Sequence, residues 1–163
     1  AAAGLEWDDL LEHFNDKEQL LAAIVEEGWQ DLLLGLPDVT STTPHTALVN
    51  LFAYLTNALH KDEDLVRLLL FEGRRPQREA GGLALSEGYR QFMQLCRDLV
   101  ARGQRDGSFQ PAYHPQVAAS MLVGALEGML RDRLIAEQEH GVTGYTSTYL
   151  LSTYGALVSS LQN

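Results

Sequence analysis

Five histidines stand at His13, His45, His60, His114 and His140, and no two are spaced i, i+4, so no helix offers a histidine pair to a metal. His60 with Asp62 and Asp64, and His140 with Glu137 and Glu139, have the donor types of a metal site. Both groups fall at expected helix ends, where charged side chains are solvated, so no metal is expected. Cys96 is the single cysteine, and nothing near it in sequence supplies a base. It reads as a core thiol rather than a nucleophile. The acidic pairs Asp8-Asp9 and Glu26-Glu27 are sequence neighbours that diverge on a helix, so they make no acid–base dyad. The chain has no Gly-x-Ser-x-Gly, phosphate loop, CxxC pair or His-Glu-x-x-His. Neither an enzyme nor a cofactor is expected.

Binding chemistry fits better. A helical domain of this length can enclose an apolar pocket between its helices. Residues that join bulk to a polar tip or a soft atom are the candidates for its lining: Trp29, Phe52, Asn57, Tyr89, Met93, Cys96 and Met121. Each of them also suits an ordinary core.

The elements that must position these side chains are helices. The 163 residues are 45% hydrophobic and 21% charged, enough for one domain with a core of its own. Apolar runs such as Leu68–Phe71 are short, so no bilayer span is expected, and a single cysteine suits a reducing cytoplasm. A net charge of −10 argues against a broad surface for nucleic acid or anionic membrane. Apolar residues recur at helical spacing nearly throughout. Helices are expected over 6–14, from Lys17 to near Gly35, from Pro44 with Thr43 as cap, over 65–72 after a charged turn at 60–64, from Ser86 to near Gly103, over 115–139 and over 145–161. The breaker-rich stretch Gly73 to Gly82 carries Arg74, Arg75 and Arg78. The whole reads as an all-α, multi-helix bundle.

The last two helices stand apart. Gly124 and Gly128 put small residues one turn apart, and Tyr149, Tyr154, Leu157 and Leu161 follow in the final helix. Such a pair suits a two-fold homodimer built as a four-helix bundle from two chains, and it also suits internal packing.

The stretch from Ala3 to Glu27, AGLEWDDLLEHFNDKEQLLAAIVEE, resembles the end of the DNA-binding domain in TetR/AcrR-family transcriptional regulators. Ala3-Gly4-Leu5 matches the start of that family's recognition helix. Leu10, His13 and Phe14 match its end, and Lys17-Glu18 with Leu20 match the turn into the linking helix. LVRLLLFEGRRPQ and DGSFQPAYHPQVAASMLVGALEGML resemble later parts of the family more loosely. The resemblance implies that 1–16 is the end of a helix-turn-helix and 17–163 an effector-binding and dimerisation domain of the TetR type, dimerising through its last two long helices. It implies that the first two helices of the DNA-binding unit, on the order of 30 residues, lie outside this sequence. It implies operator contacts at Leu11, His13 and Lys17, and a repressor controlled by a small apolar effector. Glu6, Asp8, Asp9 and Glu12 point to a second reading, because carboxylates oppose phosphates. In that reading the chain is a dimeric binding or protein-interaction module that no longer reads DNA.

Overall fold

The computed structural model describes the backbone of residues 17–72, 77–79, 82–140 and 146–163, and the side chains of 19–70, 85–139 and 146–163. The expected helix over 6–14 lies outside the described residues. The described elements are α1 (Lys17–Leu34), α2 (Pro44–Lys61), α3 (Glu63–Arg67), a π-helical turn (Leu68–Glu72), β1 (Gln77–Glu79), β2 (Gly82–Ala84), α4 (Glu87–Arg105), α5 (Pro115–His140) and α6 (Ser147–Ser159). The all-α bundle expected from the periodicity is what forms.

Local chemistry sets the boundaries. The Thr43 hydroxyl accepts from the Thr46 N–H ahead of α2, and Pro44 fills the first helical position, where its missing N–H costs nothing. Ser86 and Thr146 cap α4 and α6 in the same way, accepting from the N–H groups of Tyr89 and Tyr149. The junction of α2 and α3 is tighter than the charge run 60–64 suggests. Asp62 alone leaves helical geometry, and its carboxylate accepts from Leu65 N–H at 2.9 Å, so one residue ends one helix and caps the next.

A small hairpin replaces part of the expected breaker stretch. Gln77 pairs with Ala84 and Glu79 with Gly82, antiparallel. Three paired residues per strand hold barely one alternation, so period-two patterning has no room to show in the sequence.

The core gathers the inner faces of α2, α4, α5 and α6. Leu48, Leu51, Phe52, Leu55 and Leu59 of α2 are all buried, as their spacing requires. They meet Phe92, Cys96, Leu99 and Val100 of α4. The bend after α4 depends on two glycines. A Cβ on Gly103 would stand 2.3 Å from the ring of buried Phe109, and Gly107 has φ of +79°. Beyond it, Gln110 N–H donates to the Leu161 carbonyl at 2.8 Å, tying this linker to the end of α6.

Candidate functional site

Three parts of the molecule bear on binding: an aromatic cluster, a cleft beside it and the outer face of α5. Trp29 of α1 lies edge-on to Tyr89 at 5.4 Å and stacks on Phe92 at 5.5 Å. Phe92 meets Phe52 edge-on, and Phe52 leans on Tyr154 of α6 at 3.9 Å. The structure therefore brings Trp29, Phe52 and Tyr89 together, with Met93 packed beside the core and Cys96 within it. Asn57 and Met121 do not join them. Asn57 is exposed on α2, and Met121 lies 47% exposed on α5.

The inward polar residue of α2 is Thr56, one position before Asn57 and therefore about 100° around the helix. Its signal was its place four residues after Phe52, itself four after Leu48. Thr56 is buried, and its Oγ1 makes no hydrogen bond among the described residues. The Tyr154 hydroxyl is buried and unpartnered too, and burial, with the nearby Cys96 second, pushes its pKa well above the usual phenol value. Burial likewise pushes the Cys96 thiol far up. Cys96 is therefore expected to resist alkylation at neutral pH in the native protein and to react at the ordinary rate in denaturant. Thiol titration with and without guanidinium checks this.

Thr56 lines a cleft between α2, α3 and α5. Its apolar walls are Leu59, Val66, Leu130 and Leu134, and its rim carries His60, Glu63, Arg133 and Glu137. The cleft holds about 20 Å³, room for one water. Arg133 donates from Nε to Glu137 at 2.8 Å, with its side chain only 12% exposed. It lies 2.8 Å from His60 Nδ1 through Nη2. A guanidinium is always a donor, so His60 accepts at Nδ1 and is the neutral Nε2–H tautomer in this arrangement.

The cleft is linked to α1. Leu65, next to Val66, packs so close to α1 that a Cβ on Gly28 would stand 2.6 Å from its Cδ1. A second tie runs from α1 to α4. Glu26 accepts from Gly88 N–H at 3.0 Å and is held by Gln30 at 2.7 Å. A carboxylate there faces the positive end of α4.

The outer face of α5 is apolar and open. Val117, Met121 and Ile135 are exposed large hydrophobics, and Tyr149 of α6 is another, 57% exposed. At 100° per residue Val117, Met121, Gly124, Gly128 and Ile135 share one side of α5, opposite the buried Leu122, Leu126 and Leu130. Among the described residues, a Cβ on Gly124 or Gly128 would meet nothing within 4 Å beyond its own turn of helix. Tyr154 and Leu161 depart from the expected set: both are buried inside the protomer, Tyr154 on the inward side of α6 with Leu150 and Val158, and Leu161 just past the end of that helix. Leu157 is partly buried and packs against the same core. Leu11 and His13 lie outside the described residues, and of Lys17, the first residue of α1, only the backbone is described.

Solved structures share this arrangement of helices. The fatty acid degradation regulator FadR from Bacillus halodurans superposes with a TM-score of 0.77 at 19% identity, over 96% of this chain and 79% of that one. The transcriptional regulator FadR from Bacillus subtilis, in complex with stearoyl-CoA, gives 0.77 at 16% identity, over 98% and 84%. The TetR regulator TylP from Streptomyces fradiae gives 0.67 at 22% identity, over 98% and 72%. The chain has the TetR-regulator fold. No family model and no curated protein matches its sequence. Among the described residues no helix is long and apolar enough to cross a membrane.

Proposed function

We propose that this chain is the effector-binding and dimerisation part of a cytoplasmic, TetR-type transcriptional repressor. The observation that carries the reading is the likeness of fold, with TM-scores of 0.77 over nearly the whole chain, to two regulators of which one is described with stearoyl-CoA bound. The outer stripe of α5, with Tyr149 of α6 beside it, supports a homodimer, because an exposed apolar face with small residues lets a second helix approach closely. Residues 1–16 are the end of the DNA-binding unit in this reading, and Leu11, His13 and Lys17 contact the operator. A small, largely apolar effector enters the helical domain and shifts the dimer between states whose DNA-binding units do or do not match operator half-sites.

The test is footprinting of the full-length protein on the DNA upstream of its own gene, across a range of salt. A protected two-fold site whose affinity falls with salt is expected. No protection at any salt overturns this reading. It would favour the protein-interaction module, which the five acidic residues and the lack of Lys or Arg in 1–16 already support.

A further inference from the structure

We propose that His60 is a proton-operated clasp between helices: neutral, it ties the end of α2 to Arg133 of α5; protonated, it releases Arg133 and turns to Glu63 of α3. The inference goes beyond the proposed function and does not depend on it. It starts from the pairing of ring and guanidinium. Arg133 Nη2 lies 2.8 Å from His60 Nδ1. A guanidinium has no acceptor atom, so this contact exists only while Nδ1 keeps its lone pair. A proton on Nδ1 would set two donors and two positive charges against each other. Arg133 is the fixed member of the pair. Its side chain is only 12% exposed, and its Nε donates to Glu137 at 2.8 Å. His60 is exposed in the last turn of α2, so it is the member that takes up a proton and has room to turn.

The charged groups around the ring, among the described residues, decide where it goes. On α5 they are Arg133 and Glu137, and Glu137 is engaged by Arg133. Lys61 follows His60 in α2, and the Asp62 carboxylate is occupied by the Leu65 N–H at 2.9 Å. On α3 stand Glu63, which shares the rim of the cleft with His60, and beyond it Asp64 and Arg67. Glu63 pairs with Arg67 at 3.7 Å with both side chains exposed, an arrangement worth little. An imidazolium is a stronger donor than that loose pairing supplies, so Glu63 exchanges one partner for the other. A second histidine between helices shows the contrast. His45 Nε2 meets the Ser159 hydroxyl at 3.0 Å, and a hydroxyl serves either protonation state, since it both donates and accepts. A proton therefore breaks the contact of His60 and spares that of His45. The exchange moves a link from α2–α5 to α2–α3, and α3 is the helix whose Leu65 bears on α1 at Gly28.

The experiment is NMR of the isotopically labelled full-length protein at about pH 8 and about pH 5.5, on either side of the range in which histidine gains its charge. At the higher pH the ring nitrogens of His60 are expected to show the Nε2–H tautomer, and its ring protons to show Overhauser contacts to Arg133. At the lower pH those contacts are expected to be lost and contacts to the Glu63 side chain to appear, while the contact of His45 with Ser159 persists. His60→Asn supplies an amide oxygen that accepts but does not titrate. In that variant the Arg133 Nε–H signal, which moves between the two pH values in the wild type, is expected to stay in place. Four results overturn the proposal: the Nδ1–H tautomer at the higher pH, Arg133 contacts that persist at the lower, their loss with none gained at Glu63, or an equal movement of the Arg133 signal in His60→Asn. The last would assign the titration to Glu137. The wild-type spectra alone decide the first three, so the test stands even if the variant folds poorly.

Discussion

Gly124→Glu is expected to turn a dimer into folded monomers. Among the described residues beyond its own turn of helix, nothing lies within 4 Å of the position a Cβ would take at Gly124, so the first carbon of a new side chain is accommodated without displacing another element. Replacing an exposed mid-helix glycine also favours the helix, by up to about 1 kcal/mol. The melting temperature of the isolated protomer should therefore hold or rise. Association fares differently. A carboxylate forced into a helix–helix contact must shed water without a partner, and central interface positions lose about 2–4 kcal/mol on disruption. That raises the dimer dissociation constant roughly 30- to 1000-fold. Sedimentation of wild type and variant across a concentration series measures it. A variant that sediments as a dimer at the lowest concentrations would rule out this face. Tyr149→Asp, on an exposed residue of α6, should act in the same direction. Tyr154 and Leu161 offer no such test, since changing either disrupts the protomer's own core.

The contrast between α2 and α5 explains what the sequence could reveal. α2 has one apolar face, so its spacing alone identified Leu48, Leu51, Phe52, Leu55 and Leu59 as core, and Thr43-Pro44 marked its start. α5 is apolar on two sides. Val117 and Met121 lie on one and Leu122 and Leu126 on the other, so periodicity gives no inward direction and Met121 is easily misplaced. α6 poses the same problem on a smaller scale: Tyr149 faces out and Tyr154 faces in, a difference of about 140° around the helix that no tyrosine count can show. The cleft was less legible still. His60, Glu63, Arg133 and Glu137 come from helices distant in sequence, and only folding sets Arg133 between Glu137 and His60. Histidine and carboxylate spacing pointed instead to two local clusters, neither of which contains Arg133.

Phe52→Ala is expected to cost about 3–5 kcal/mol, the largest stability loss of any single truncation considered for α2. Phe52 has no exposed surface, and its ring touches two others, Phe92 of α4 and Tyr154 of α6. Removing it opens a void where three helices meet. It also strips an aromatic wall from Tyr154, whose hydroxyl is already buried without a partner. With about 2–4 °C per kcal/mol in a domain of this size, the melting temperature should fall by roughly 10 °C or more. Two neighbours calibrate the result. Asn57→Ala, on an exposed residue, should change stability by less than about 0.5 kcal/mol. Thr56→Val should be stabilising, by about 1 kcal/mol, because it removes an unpaired buried hydroxyl at nearly constant volume. Denaturant titration of the three variants measures all three values. The order matters more than any single value, because it tests which way α2 faces. If Asn57→Ala proved as costly as Phe52→Ala, the helix would be turned by about 100°, and both the aromatic cluster and the floor of the cleft would be lined by other residues.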